Sequence, residues 1–293
     1  GHNILMIGPP GSGKTMLAKR LPSILPPMNL QESLEVTKIY SVAGLFRQDR
    51  MMTERPFRSP HHTISSNGLI GGGTIPKPGE VTLAHNGVLF LDELPEFPRS
   101  VLEVMRQPLE DGQVHIARVN ASLTYPARCM LVAAMNPCCC GNYGSDEICT
   151  CTAGEIRRYV RKISGPLLDR IDLHVQVNRP LYAELVSAVP QESSAAIRER
   201  VLAARQRQKE RLAPYHLVCN AHMGHRELRE TCHITKEAQE LLQQVFDSLK
   251  LSARSYDRII KVSQTIADLA GDRDIEAKHV GEAVSYRNKL QRT

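Results

Sequence analysis

The chain has no long hydrophobic run. Its longest apolar stretches, Val88–Leu91 and Met130–Met135, fall far short of the ~20 residues a membrane-spanning helix needs, so they read as buried strands. There is no initiator methionine and no signal peptide, and strand-like sequence begins at Asn3, as expected of a domain cut from a longer protein. No repeat of about 20 to 50 residues is present, which excludes solenoid architectures. The polar bias of a disordered chain is also missing, since 42% hydrophobic and 23% charged residues are globular proportions. Nor is there a strong charge of either sign. A net charge of +6 admits an anionic partner such as nucleic acid without requiring one.

A length of 293 residues predicts two units, at roughly 150 residues per domain. Residues 1–178 alternate short β-rich runs with helical patterns, the habit of an α/β parallel sheet with helices on both faces. Strands are predicted over 3–7, near 56–61, and over 87–91, 130–134 and 173–177, with helices over 14–25, 30–43 and 100–109. Two glycine-punctuated stretches interrupt this rhythm. One spans 65–83; the other, 112–125, alternates Val114, Ile116, Val119 and Leu123 like a hairpin. Residues 179–293 read as an all-α domain, with helices over Ser194–Leu212, Lys236–Leu249, 254–269 and 276–289. Apolar residues there recur at helical spacing, as in Leu241, Val245 and Leu249 or Ile259, Val262, Ile266 and Leu269.

The segment Gly8-Pro9-Pro10-Gly11-Ser12-Gly13-Lys14-Thr15 fits G-x-x-x-x-G-K-[ST] and sits between a strand and a helix, the context its chemistry requires. Glycines let backbone N–H groups close around phosphate oxygens, and the helix N-terminus adds partial positive charge. Lys14 is the residue to reach the β and γ phosphates, and Thr15 the one to ligate Mg²⁺. A second strand, Val88–Leu91, runs into Asp92 and Glu93. At the C-terminal edge of a parallel sheet this pair suits Mg²⁺ retention by Asp92 and polarisation of the attacking water by Glu93. A third ends at Asn136, placed either to orient water and sense the γ phosphate or merely to start the Asn136-Pro137 turn.

These segments, together with Gly165-Pro166-Leu167-Leu168-Asp169-Arg170-Ile171-Asp172, resemble an AAA+ ATPase of the magnesium-chelatase and MCM-like clade. More narrowly, Arg55-Pro56-Phe57-Arg58-Ser59-Pro60-His61-His62 and Gly79-Glu80-Val81-Thr82-Leu83-Ala84-His85-Asn86-Gly87 resemble the ComM/YifB competence family, and the resemblance covers essentially the whole chain. It implies ATP as the nucleotide, with 65–83 as the insert in the second helix and 112–125 as the hairpin before the Asn136 strand, both facing the pore of a homo-hexamer. It makes Arg170 the arginine finger, acting on the neighbouring subunit, and Arg254 the sensor arginine of the second domain. It further implies a DNA branch-migration motor and a Lon-like N-terminal region outside this sequence. A chelatase-like or Lon-like ATPase that remodels a protein partner is the alternative.

Of the eight cysteines, five lie between Cys138 and Cys151, next to a motif that belongs in a reducing cytoplasm. Cys138, Cys140, Cys149 and Cys151 form two C-x-C pairs that suit a closed, tetrahedral structural Zn²⁺; a metal-free or oxidised loop is the other reading. Arg55, Arg58, His61, His62 and Lys77 are candidates either for a nucleic-acid backbone or for structural and subunit contacts. The run Arg198, Arg200, Arg205, Arg207, Lys209 and Arg211 reads as a solvated helix face.

Overall fold

The computed structural model describes residues 1–46, 50–73, 76–118, 121–180, 182, 186 and 191–287. Among these residues nine strands are defined: β1 (Ile4–Ile7), β2 (Phe57–Arg58), β3 (Gly71–Gly72), β4 (Lys77–Pro78), β5 (Val88–Leu91), β6 (Gln113–Arg118), β7 (Ala121–Pro126), β8 (Met130–Met135) and β9 (Leu173–Gln176). Five of them build one sheet in the order β2-β5-β8-β1-β9, with every pairing parallel. Parallel strands must be covered on both faces, which is why β5 and β8 read as unbroken apolar runs. Alternate side chains then serve two cores. Leu5, Leu89, Leu91, Leu131 and Ala133 face one layer, and Met6, Val88, Phe90, Val132 and Ala134 face the other with Ala18.

Helices α1 (Lys14–Ile24) and α2 (Leu30–Val42) follow β1, and Asn29 and Glu32 close α2 with a reciprocal capping box. The stretch 65–83 folds into α3 (Ser66–Ile70), the antiparallel β3–β4 pair and α4 (Glu80–Leu83). The stretch 112–125 forms the antiparallel β6–β7 hairpin; Val119 lies outside the described residues. The single helix expected over 100–109 is two, α5 (Arg99–Glu103) and α6 (Arg106–Asp111). Pro108 has no N–H for the carbonyl of Val104 and its ring would clash there, so the helix restarts with Pro108 in its first turn. Helices α7 (Ala153–Val160) and α8 (Gly165–Leu168) lead into β9.

Beyond β9 the described residues form helices Ser194–Leu212, His225–Thr231, Lys236–Leu249, Ala253–Ala270 and Ala277–Ser285, around a third core containing Leu212, Leu242, Ile259, Val262 and Val280. Lys289, expected in the last helix, lies outside the described residues, and Leu269 is exposed rather than part of the apolar stripe. The basic run on Ser194–Leu212 is not simply a solvated face. Arg211 grips both carboxylate oxygens of the buried Asp268 at 2.7 Å, Arg207 donates to the Asp268 carbonyl, and Arg198 donates to the Ser23 carbonyl on α1. No helix among the described residues is long and apolar enough to cross a membrane.

Candidate functional site

The loop from Gly8 to Gly13 leaves the C-terminal end of β1, an interior strand between β8 and β9, and enters α1 at Lys14. Gly11 and Gly13 hold left-handed backbone (φ 79° and 83°), so the chain turns tightly enough for successive N–H groups to face one concavity at the helix N-terminus. Lys14 is buried, and its Nζ donates to the carbonyls of Gly8 (2.7 Å) and Pro9 (2.9 Å), to Ser12 Oγ (3.3 Å) and to Asn136 Oδ1 (3.3 Å). Burial lowers the pKa of this ammonium, against the opposing charge of Asp92.

Asp92 emerges from β5, its carboxylate accepting from Thr15 Oγ1 at 2.7 Å and from the backbone N–H of Glu93 at 2.9 Å. Two oxygen ligands of Mg²⁺ at right angles, each bonded at about 2.05 Å, lie about 2.9 Å apart. The Thr15 hydroxyl and the Asp92 carboxylate stand close enough together to share one such ion, with Asp92 holding it mainly through its water shell. Glu93 takes a left-handed conformation (φ 51°, ψ 46°), strained for a residue with a side chain. Its Oε2 lies 3.3 Å from Nδ1 of His62, whose ring packs on His61 (centroids 4.0 Å apart) and edge-on to Phe97. Lys14, Thr15, Asp92, Glu93 and Asn136 thus form one connected constellation across the ends of β1, β5 and β8.

Arg170 and Arg254 are not part of it. Asn3 Nδ2, at the start of β1, donates to the Arg170 carbonyl at 3.0 Å, whereas Lys14 lies beyond the other end of that strand, a separation of about 13 Å for the strand alone. The Arg170 guanidinium is buried, donating to the Pro166 carbonyl and pairing with Glu110, and Arg254 reaches the other oxygen of Glu110 at 3.2 Å. Burial would raise the Glu110 pKa, but the two arginines outweigh it and hold the carboxyl below its usual value. A cleft of about 500 Å³ opens here, lined by Ile70, His115, Glu110 and Arg170, so both glycine-punctuated segments border the arginine pair. Glu110 drew no attention in the sequence. Its signal was an acidic pair in the last turn of α6, where the helix dipole disfavours negative charge unless a cation compensates.

The basic residues before the first insert divide. Arg55 donates to the carbonyls of Pro26 and Asn86 and pairs with Glu32, and Arg58 forms a two-pronged pair with Glu80, so both are structural. Lys77 on β4 is exposed. After Asn136 the chain enters an irregular loop in which the sulfurs of Cys138, Cys140, Cys149 and Cys151 all lie within 4.8 Å of one another. Away from this loop, burial pushes the pKa of the Cys129 thiol up to about 12 and that of Cys232 up to about 11.

The geometry agrees with the comparisons. Residues 1–185 match the family described as magnesium chelatase, subunit ChlI, and residues 191–287 match its C-terminal part. Protein YifB of Escherichia coli K12 is 46% identical over 288 residues, covering 98% of this chain and 56% of that protein. Competence protein ComM of Haemophilus influenzae is 46% identical over 287 residues, covering 98% and 55%. Magnesium-chelatase subunit ChlI of Euglena gracilis is 21% identical over 196 residues, covering 59% and 50%. The chain spans about half the length of these relatives. With a parallel nucleotide-binding sheet followed by helices, and with near-complete matches at this level of identity, the chain belongs to the magnesium-chelatase-like ComM/YifB family of AAA+ proteins.

Proposed function

We propose that the chain hydrolyses Mg²⁺-ATP as the motor module of a homo-hexamer that acts on DNA, driving branch migration. The observation that carries the ATPase reading is the convergence of Lys14, Thr15, Asp92, Glu93 and Asn136, distant in sequence, around one phosphate-sized cradle. The N–H groups of the loop Gly8, Pro9, Pro10, Gly11, Ser12 and Gly13, where they carry one, and the N-terminus of α1 bind the phosphates. Lys14 exchanges its loop carbonyls for phosphate oxygens. Thr15 and Asp92 would hold Mg²⁺, which neutralises charge on the β and γ oxygens when bound. Glu93 orients and deprotonates the attacking water, and Asn136 aligns that water with the γ phosphate.

Because Arg170 sits beside the start of β1, a strand's length from its own phosphate loop, it serves the site of the adjacent subunit, where a guanidinium spreads transition-state charge; Arg254, on the same carboxylate, is the sensor arginine of the helical part. Support for DNA as the polymer comes from the similarity to a competence protein, the net charge of +6 and the exposed Lys77 on the first insert. The internal pairing of Arg55 and Arg58 removes two candidate DNA contacts and keeps a second reading in play, a chelatase-like ATPase that remodels a protein partner.

Measuring ATPase rate with and without branched, single-stranded and duplex DNA over a salt series tests both. A DNA motor shows stimulation whose half-saturation rises steeply with salt, as counterion release demands. Indifference to all DNA, with stimulation by a protein partner, selects the second reading. Absence of Mg²⁺-dependent hydrolysis sinks both.

A further inference from the structure

The four-cysteine loop touches the nucleotide site at several points. Asn136, two residues before Cys138, bonds Lys14. Gly141 lies flat against the phosphate loop: a Cβ there would sit 2.6 Å from Cδ of Pro10. Arg179, just past β9, donates through Nε to the Pro10 carbonyl at 2.9 Å and pairs through Nη1 with Glu147 inside the cysteine loop. The loop itself has no regular secondary structure between Asn136 and the Thr152 cap of α7. Only short turn hydrogen bonds and the Arg179–Glu147 pair supplement the gathering of its four sulfurs.

The sulfur geometry identifies the ligand class. Cys138–Cys140, Cys138–Cys149 and Cys140–Cys149 sulfurs are 3.3, 3.7 and 3.6 Å apart. Zn–S bonds of about 2.3 Å place the corners of a tetrahedron about 3.8 Å apart. A cluster of several irons would spread its thiolates around several metal ions, whereas these four converge on one point. The backbone N–H groups of Cys140 and Tyr143 point at the sulfurs of Cys151 and Cys138 (3.4 and 3.3 Å), the contacts that support thiolate. Four thiolates leave no open position, so the centre is structural.

We propose that Cys138, Cys140, Cys149 and Cys151 bind one Zn²⁺, and that this centre braces the phosphate loop through Gly141, Arg179 and Asn136, making nucleotide affinity depend on the metal. The second half of this proposal rests on the nucleotide reading above. Binding releases the protons of whichever thiols carry them and involves no oxidation or reduction.

The test uses the whole chain purified under reductant. Metal analysis is expected to find one zinc per chain, and Co²⁺ put in its place to show the absorption bands of a tetrahedral all-thiolate site. Binding of a fluorescent ADP analogue in Mg²⁺ is then compared between zinc-loaded and metal-stripped protein. Stripping weakens it about tenfold, the equivalent of one hydrogen bond to a charged group. Cys139→Ser, at the exposed thiol between Cys138 and Cys140 that stands outside the four-sulfur group, serves as the control and changes neither zinc content nor affinity. If stripped protein unfolds, Arg179→Ala decides: it keeps its zinc and still binds the analogue several-fold more weakly. Less than stoichiometric zinc, or iron in its place, overturns the metal assignment. Equal affinity of loaded and stripped folded protein, or of Arg179→Ala and the parent, overturns the brace. Stoichiometric zinc in a protein that binds no nucleotide in any form overturns the nucleotide reading and leaves the metal site standing.

Discussion

Arg170 and Arg254 hold opposite oxygens of a single carboxylate, that of Glu110. One guanidinium comes from the turn before β9 and the other from the first turn of helix Ala253–Ala270, so Glu110 ties the sheet-bearing part of the chain to its helical part. It also keeps two neighbouring cations from repelling one another.

Replacing Glu110 with Ala is expected to lower stability by about 1–2 kcal/mol. That is less than the several kcal/mol of a fully buried pair, because the Glu110 side chain is 47% exposed. Urea unfolding of Glu110→Ala, Arg254→Ala and the double variant measures it, and the double-mutant cycle is predicted to show non-additivity. The same variant is expected to lose turnover with little change in nucleotide affinity, since Arg170 loses its orienting partner. Strict additivity of the two substitutions rejects the shared contact.

Lys14 and Glu93 are expected to separate binding from chemistry. Lys14→Ala weakens nucleotide binding by about tenfold to a hundredfold, the worth of a charge-assisted hydrogen bond. Glu93→Gln leaves binding within about twofold but slows turnover by about a hundredfold or more. Arg170→Ala alone loses about a thousandfold in turnover. Mixed with Lys14→Ala it recovers part, because a mixed interface can pair one intact loop with one intact arginine. Titration calorimetry and steady-state rates on verified mixed oligomers read these out; absence of any recovery argues against sites built between subunits.

His174 on β9 is buried with neither ring nitrogen hydrogen-bonded, and its backbone N–H donates to the Tyr286 carbonyl. Burial, helped by the nearby Arg287 charge, lowers its pKa from 6.5 to about 4. The unfolded chain therefore takes up a proton as pH falls through 6.5 while the folded chain does not, so stability is full above that value and declines below it. Between pH 7.5 and 5 the loss is about 2 kcal/mol from this group. The difference in urea midpoint between these pH values checks it, and His174→Phe is expected to shrink that difference. An equal pH dependence in the variant removes His174 as its source.

Local physics made the sheet legible: strands covered on both faces must be continuously apolar, and the turn from β1 into α1 carries its own glycine and lysine pattern. The connection of Lys14, Thr15, Asp92 and Asn136 followed once those strand ends were recognised as neighbours. What escaped the sequence depended on partners chosen by packing. Arg207 and Arg211 sit at a spacing that suits a solvated face, yet Asp268, buried on another helix, turns them inward. Arg55 and Arg58 looked available for an anionic polymer until Glu32 and Glu80 claimed them. Glu110 and Arg179 carry no motif at all; only the fold brings them to Arg170 and Pro10.

Strand β9 is short, and both of its ends are engaged. Before it, Asp172 meets His2 and Arg258; along it, His174 bonds Tyr286; past it, the Val177 carbonyl crowds Gly8 so closely that a methyl group there would sit 2.0 Å away, and Arg179 holds Pro10. Registered residue by residue on β1, it cannot slide without surrendering that ladder. The trailing helices and the phosphate loop are therefore fastened to opposite tips of one short strand that holds its place in the sheet, so loosening either anchorage is felt at the other.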